Sequence, residues 1–333
     1  MMMTTLTATN LFDEMNRLGH ERTPFLFAVD YEVREGILIP YPEQQRSVLY
    51  KVQEFSNMPS NMGRCSFHLA LRSNPRQFAI YQQQFNKIHR ALAVGNSFLA
   101  NLTIATPIEI DCSLETIAQY AVAPYKLYVP GRFVCFSPER FVSIRPATGG
   151  QYQIETCPMK GTIDASIPNA EEVILSSYKE TAEHYTIVDL MRSDLARVGQ
   201  RVQVNKFRYI DRIETQNGGL LQVSSLISAT LPTDTLDRLG TILGTLLPAG
   251  SITGAPKEAT IRAIQEAETE PRGYYSGVFG YFDGSCLESA VMIRFIEEQG
   301  DGAFYFHSGG GITINSKAED EYKEVIEKIY IPV

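Results

Sequence analysis

Cysteine is scarce in this 333-residue chain and nowhere grouped for metal binding or cross-linking. The five cysteines, Cys65, Cys112, Cys135, Cys157 and Cys286, are odd in number and scattered, with no CxxC or CxxH spacing. That excludes a disulfide framework and a thiolate zinc site, and it is the pattern of reduced thiols in a cytoplasmic protein. No apolar run approaches the roughly 20 residues that span a bilayer. Met1-Met2-Met3-Thr4-Thr5 lacks the charged start of a signal peptide. Repeats and low-complexity linkers are missing too, so one large domain over residues 1–333 is expected. Positive charge is short: 30 Lys and Arg against 38 Asp and Glu leave a formal charge of −8. Nucleic acid and acidic membranes are therefore disfavoured as partners. An anionic ligand must be met by local cations or a metal.

Hydrophobic residues make up 44% of the chain, ample for the core of a globular enzyme. Phe25–Val29 and Gly36–Ile39 read as strands and Gln77–Ala93 as a helix. Phe133–Phe136 and Phe141–Ile144 read as two strands joined by a turn at Ser137-Pro138-Glu139-Arg140. A long helix is expected from Asn169, its cap, with Glu172 in the capping-box position. Its apolar stripe runs through Tyr178, Tyr185, Val188, Met191 and Leu195 to Gly199. Another helix follows Gly250–Pro256, with Pro256 in its first turn. Ser276–Phe282, Cys286–Ile296 and Ala303–His307 form an antiparallel meander, and Ser316 caps a final helix with Glu319. Hairpins outnumber crossover units, so the fold class is α+β with antiparallel sheets.

Glu180 and Glu183 share one helical face, and Glu321 and Glu324 repeat the spacing near the C terminus. Four carboxylates brought together call for a cation, and oxygen donors without His or Cys favour Mg²⁺ over Zn²⁺. Helical glutamate pairs are as a rule solvated surface, so spacing alone leaves both readings open. Arg294 interrupts the apolar run Ala290–Ile296 and needs an anion: a substrate carboxylate or an internal salt bridge. Ser308-Gly309-Gly310-Gly311 either lets backbone approach a ligand or simply turns. Gly250–Lys257 opens a helix but does not match GxxxxGK[ST]. Lys160 stands between Pro158 and Gly161, where most lysines are solvated, and His184 serves packing as readily as chemistry. Composition and spacing reach a Mg²⁺-capable enzyme and leave its substrate open.

Seven motifs stand in order along the chain. They are Ser137-Pro138-Glu139-Arg140-Phe141, Pro158-Met159-Lys160-Gly161-Thr162, Lys179-Glu180-Thr181-Ala182-Glu183-His184, and Val188-Asp189-Leu190-Met191-Arg192-Ser193-Asp194-Leu195. Gly250-Ser251-Ile252-Thr253-Gly254-Ala255-Pro256-Lys257, Gly273-Tyr274-Tyr275-Ser276-Gly277 and Gly309-Gly310-Gly311-Ile312 complete the set. Together they resemble the chorismate-utilising enzymes, the family of anthranilate, aminodeoxychorismate, isochorismate and salicylate synthases. The match covers about Gly95 to Lys328, and residues 1–94 match weakly.

The resemblance implies a four-layer α/β/β/α sandwich of two orthogonal antiparallel sheets, with residues 95–330 as catalytic core. It implies Mg²⁺ held directly by Glu183 and Glu324, supported by Glu180 and Glu321. Arg294 and Tyr275 match the clamp on the enolpyruvyl carboxylate, Gly309, Gly310 and Gly311 the backbone cradle, and Gly161 and Thr162 the floor. Glu139 matches the general acid that protonates the departing C4 hydroxyl. Lys160 fills the slot where aminodeoxychorismate enzymes carry lysine and anthranilate synthases alanine. Leu99 stands where isochorismate-type enzymes place a water-activating lysine. The implied reaction converts chorismate and ammonia to 4-amino-4-deoxychorismate, for para-aminobenzoate and folate.

Ammonia is expected from a separate glutamine amidotransferase subunit, since Cys65 lacks the flanking pattern of a glutaminase nucleophile. The start of the chain lacks the leucine-rich, serine-containing element with which anthranilate synthases bind tryptophan, so no tryptophan feedback is expected. One departure stands out: alignment puts Leu221, with Gln222 beside it, where the family carries histidine. Leucine offers no hydrogen bond and glutamine carries no proton at neutral pH. Two alternatives follow: an anthranilate synthase component I, or a chorismate-binding or glutaminase-docking scaffold without turnover.

Overall fold

The structure, a computed structural model, describes residues 4–59, 69–71, 77–215 and 218–332. Cys65 lies outside them, and the other four cysteines are free thiols. Eight α-helices occur among the described residues: α1 (Ala8–His20), α2 (Gln77–Ala93), α3 (Leu114–Tyr120), α4 (Ala170–Ser176), α5 (Tyr178–Ala196), α6 (Leu239–Leu246), α7 (Lys257–Ala267) and α8 (Ala318–Glu327). No helix among the described residues is long and apolar enough to cross a membrane.

The strands form two antiparallel sheets. One has ten strands in the order Thr4–Thr7, Glu35–Pro40, Phe25–Val29, Val278–Phe282, Leu287–Val291, Arg140–Pro146, Tyr152–Thr156, Gly218–Leu231 and Met159–Asp164, with Gln200–Thr215 paired along Gly218–Leu231. The nine-stranded sheet centres on Leu99–Ile110, Phe304–Ile312, Phe295–Glu298, Phe133–Ser137 and Tyr125–Val129. Leu26, Ala28, Leu127, Phe133, Phe279 and Ala290 meet between the sheets. Leu11 and Met15 of α1, Ile187 and Met191 of α5 and Leu243 of α6 cover the far face of the ten-stranded sheet. Tyr81 and Phe85 of α2, Ile264 of α7 and Val325 of α8 cover the other sheet. These cores stack helices, sheet, sheet and helices in the expected layers. At Gly240 the absent side chain lets α6 lie against the backbone of Phe12 in α1.

Several boundaries differ from expectation. The long helix from Asn169 is two helices. Asn169 has a left-handed φ of 56° and makes no side-chain cap, and Ser177 opens α5 by accepting a hydrogen bond from the Glu180 amide at 3.4 Å. Lys317, not Ser316, precedes α8; the Ser316 hydroxyl instead donates to Glu321 Oε1 at 2.7 Å. The Gly309–Gly311 run is not a turn but part of the strand Phe304–Ile312, paired with Asn101, Leu102 and Thr103.

Two further differences create the site. Phe133–Ser137 and Arg140–Pro146 are no hairpin, because the first belongs to the nine-stranded sheet and the second to the ten-stranded one. Likewise the run Cys286–Ile296 breaks into Leu287–Val291 in one sheet and Phe295–Glu298 in the other. The chain thus steps directly from a strand of one sheet into a strand of the other at Pro138-Glu139 and at Met292-Ile293-Arg294. The two crossings are bonded together: the Phe136 amide donates to Arg294 O at 3.0 Å and the Val291 amide to Glu139 O at 3.3 Å.

Candidate active site

The crossing at Glu139 leaves a part-buried carboxyl between the two sheets. Burial pushes its pKa up, against a Ser251 hydrogen bond and the charges of Lys160 and Lys328, which pull it down. A carboxyl so placed keeps its proton to higher pH than a solvated glutamate, as a general acid requires. Ser251 belongs to the 250–257 segment, whose role the sequence left open.

Lys160 lies on the edge strand Met159–Asp164, beside a register shift between Met159 and Thr162. Its ammonium is 3.4 Å from Glu183 Oε2, with the lysine side chain 24% and the glutamate 9% exposed. Gly161, at φ 82°, has no side chain to obstruct Glu180: a Cβ there would be 3.3 Å from Glu180 Oε2. A Cβ on Gly311 would lie 3.5 Å from Lys160 Nζ and 3.1 Å from Leu99 Cδ1. Gly311 is therefore the surface over which the Lys160 amine rests, and its other neighbour is the hydrocarbon Leu99. Thr162 enters this part of the sheet as the register partner of Gln222.

Across the glycine strand stands α8. Lys328 donates to Gly309 O at 2.9 Å and pairs with Glu324 at 2.8 Å. A Cβ on Gly310 would be 3.8 Å from Glu321 Oε2 and 4.0 Å from Lys328 Nζ. Gly311 thus borders Lys160, while Gly310 borders Glu321 and Lys328. Lys328 was not singled out from the sequence; its i,i+4 spacing from Glu324 was the available signal.

Among the described residues, no three His, Cys, Asp or Glu side chains converge as a ready metal site. The donors nonetheless suit a hard divalent cation. Glu183 Oε1 is buried with no hydrogen-bond partner, and a buried carboxylate oxygen is costly without a cation or donor.

Arg294, at φ 54°, has no carboxylate partner among the described residues. Its guanidinium donates to Lys328 O at 3.0 Å and to the Tyr330 hydroxyl at 3.3 Å, and it lies over the Tyr330 ring. The internal salt bridge left open by the sequence is not its partner. Tyr275 is 3% exposed, packs against His307 with ring centroids 5.1 Å apart, and lies near the charges of Arg272 and Arg294. Burial raises its phenol pKa and keeps it a neutral donor. Arg272, also missed in the sequence, supports this loop: it pairs with Glu268 at 2.7 Å and donates to Asn101 O at 2.6 Å.

Leu221 is 5% exposed and pairs with Ile163, so it is a core residue. The imidazole at hand is His184, whose Nε2 is 2.6 Å from Ser225 Oγ. Burial, and then the charges of Arg208 and Lys160, lower its pKa to about 4, so it is neutral at pH 7.

The chorismate binding enzyme family matches residues 31–332. A PabA-like protein of Pasteurella multocida is 50% identical over 96% of this chain and 97% of its own length. Aminodeoxychorismate synthase component 1 of Bacillus subtilis is 32% identical over 75% of this chain and 54% of its own length, so the chain spans about half of that relative. The menaquinone-specific isochorismate synthase of Escherichia coli superposes with a TM-score of 0.72 at 16% identity, over 98% of this chain and 82% of that one. That likeness concerns the fold. The chain belongs to the chorismate binding enzyme family.

Proposed function

We propose that this chorismate-binding enzyme aminates its substrate, converting chorismate and ammonia to 4-amino-4-deoxychorismate. The observation that carries the reading is Lys160, whose amine rests on Gly311 and against Glu183, with Glu139, whose carboxyl pKa is raised by burial, in the same electrostatic neighbourhood. An amine is a nucleophile and a retained carboxyl proton is an acid, which are the two functions the substitution needs. Leu99 puts a hydrocarbon on the other flank of Gly311, where activation of water for hydration at C2 would need a base.

In this mechanism Arg294 and Tyr275 hold the enolpyruvyl carboxylate, and the Gly309–Gly311 backbone bounds the ring. The Lys160 amine, after giving up its proton to solvent, forms a bond to C2. The diene electrons shift toward C4, and the C4 hydroxyl leaves as water with the proton of Glu139. Ammonia then bonds to C4, the electrons return, the C2–N bond to Lys160 breaks, and the proton shed by the new C4 ammonium restores the acid form of Glu139. The enolpyruvyl ether stays intact. Mg²⁺, held by Glu183 and Glu324 with Glu180 and Glu321 in support, would neutralise the ring carboxylate of the dianionic substrate. Local cations thereby answer the net charge of −8. Nitrogen comes from a separate glutaminase subunit, so the isolated chain uses ammonium but not glutamine.

Chromatographic identification of the product from chorismate, Mg²⁺ and ammonium tests the reading. 4-Amino-4-deoxychorismate is expected. Anthranilate, isochorismate or unchanged chorismate would overturn it, the last in favour of a binding scaffold.

A further inference from the structure

A basic cleft lies at the opposite end of α5 from the glutamates. It encloses about 460 Å³, with Arg197, Arg201 and Arg238 around it and Val198, Leu231 and Pro232 as its apolar part. Arg197 is the C-cap of α5, Arg201 is the second residue of the strand Gln200–Thr215, and Arg238 closes the 3₁₀ turn before α6. At 1.5 Å per helical residue, Glu183 and Arg197 are separated by roughly 20 Å along α5. The cleft is therefore distinct from the candidate active site.

Three guanidiniums together are unexpected on a chain of net charge −8 unless something holds them. Internal carboxylates do not. Among the described residues Arg197 and Arg201 have no ion pair; Asp194, the acid near Arg197, is taken by Lys257 at 2.6 Å. Among the described residues Arg238 reaches only Asp234, at 3.8 Å with both side chains about half exposed. Nor are they needed to cap α5. The amides of Arg197, Val198 and Gly199 already donate to Asp194 O and Leu195 O. Arg201 is moreover fixed in a left-handed conformation, φ 53°, at a break in strand register. The volume is that of a small-molecule site, and the apolar part exceeds what a bare inorganic ion would use.

We propose that this cleft is a second ligand site, for a small organic molecule bearing two or more anionic groups, phosphate or carboxylate. Planar guanidiniums bind either group bidentately, and three of them favour a polyanion over a monoanion. Val198, Leu231 and Pro232 take the ligand's carbon skeleton.

Titration calorimetry of the full chain, free of Mg²⁺ and at low salt, tests this with pyrophosphate and citrate as separate probes. Saturable one-to-one binding of at least one probe is expected, and the stronger of the two identifies the anionic group. Affinity should fall at least tenfold in Arg197→Ala/Arg201→Ala, and again on adding Arg238→Ala. It should be unchanged in Lys160→Ala, which separates this site from the catalytic one. The three arginines are exposed, so the variants should keep the wild-type melting temperature. Absence of saturable binding by both probes, affinity indifferent to the arginines, or loss in Lys160→Ala would each overturn the proposal.

Discussion

The Lys160 ammonium lies 3.4 Å from one oxygen of Glu183, while the other oxygen of that carboxylate is buried without a partner. The candidate nucleophile is thus the counterion of a candidate metal ligand. A divalent cation on Glu183 would compete with the ammonium for the same charge, since both are positive and close. Mg²⁺ should therefore bind Lys160→Met several-fold more tightly than wild type, as measured by calorimetry without chorismate. Weaker binding to the variant would mean that lysine supports the metal site.

Glu139→Gln keeps the shape of the proposed general acid and removes its ionisable group. Turnover with ammonium should fall by roughly 10²–10⁴-fold, the usual range for loss of a positioned acid. The raised pKa of Glu139 has a sign that can be checked. The acid is active while protonated, so the wild-type rate should decline as pH rises through that pKa, above the range of a solvated glutamate. The limb should vanish in Glu139→Gln; a limb that persists belongs to another group.

Arg294 is held by a carbonyl and a phenol, leaving its charge unneutralised by any described carboxylate. Arg294→Ala should raise KM for chorismate roughly 10- to 100-fold, the worth of charge-assisted hydrogen bonds, with a smaller loss in kcat. Lysine should restore little, because it lacks the planar fork. Unchanged KM in steady-state assays would place the substrate carboxylate elsewhere.

The site was legible in the sequence where chemistry depends on single residues, and much less so where it depends on chain path. Lys160 between proline and glycine, the glutamate pairs and the interrupted apolar run at Arg294 were visible as patterns. The crossings between sheets were not. Ala290–Ile296 is apolar on both sides of the break, because each half is buried in its own sheet, so periodicity does not register the change. Ser177 was masked by a continuous helical stripe across α4 and α5. The strands Gln200–Thr215 and Gly218–Leu231 were also unforeseen. Arg201, Lys206, Arg208 and Arg212 fall among the apolar residues of the first, and register shifts break strict alternation. Helix α1 has a clear apolar face of Leu11, Met15 and Leu18, but it lies outside every motif.

Stability offers a separate check on the scaffold. Lys257 and Asp194 form a 2.6 Å pair with both side chains 10% exposed, joining α7 to α5. Lys257→Met leaves Asp194 buried and unpaired, which should cost about 3–5 kcal/mol. The urea midpoint should drop accordingly with the slope unchanged. A midpoint within error of wild type would show that Asp194 finds another partner.

The account turns on a covalent bond between Lys160 and ring carbon C2. Intact-protein and peptide mass spectrometry of wild type, incubated with chorismate and Mg²⁺ in the absence of ammonia and then acid-quenched, reads that bond directly. An adduct of chorismate less one water on the Lys160 peptide is predicted, discharged to 4-amino-4-deoxychorismate on adding ammonium before the quench. An unmodified Lys160 in enzyme that turns over with ammonium would contradict it, and would mean that ammonia attacks C4 with lysine acting only as a charge.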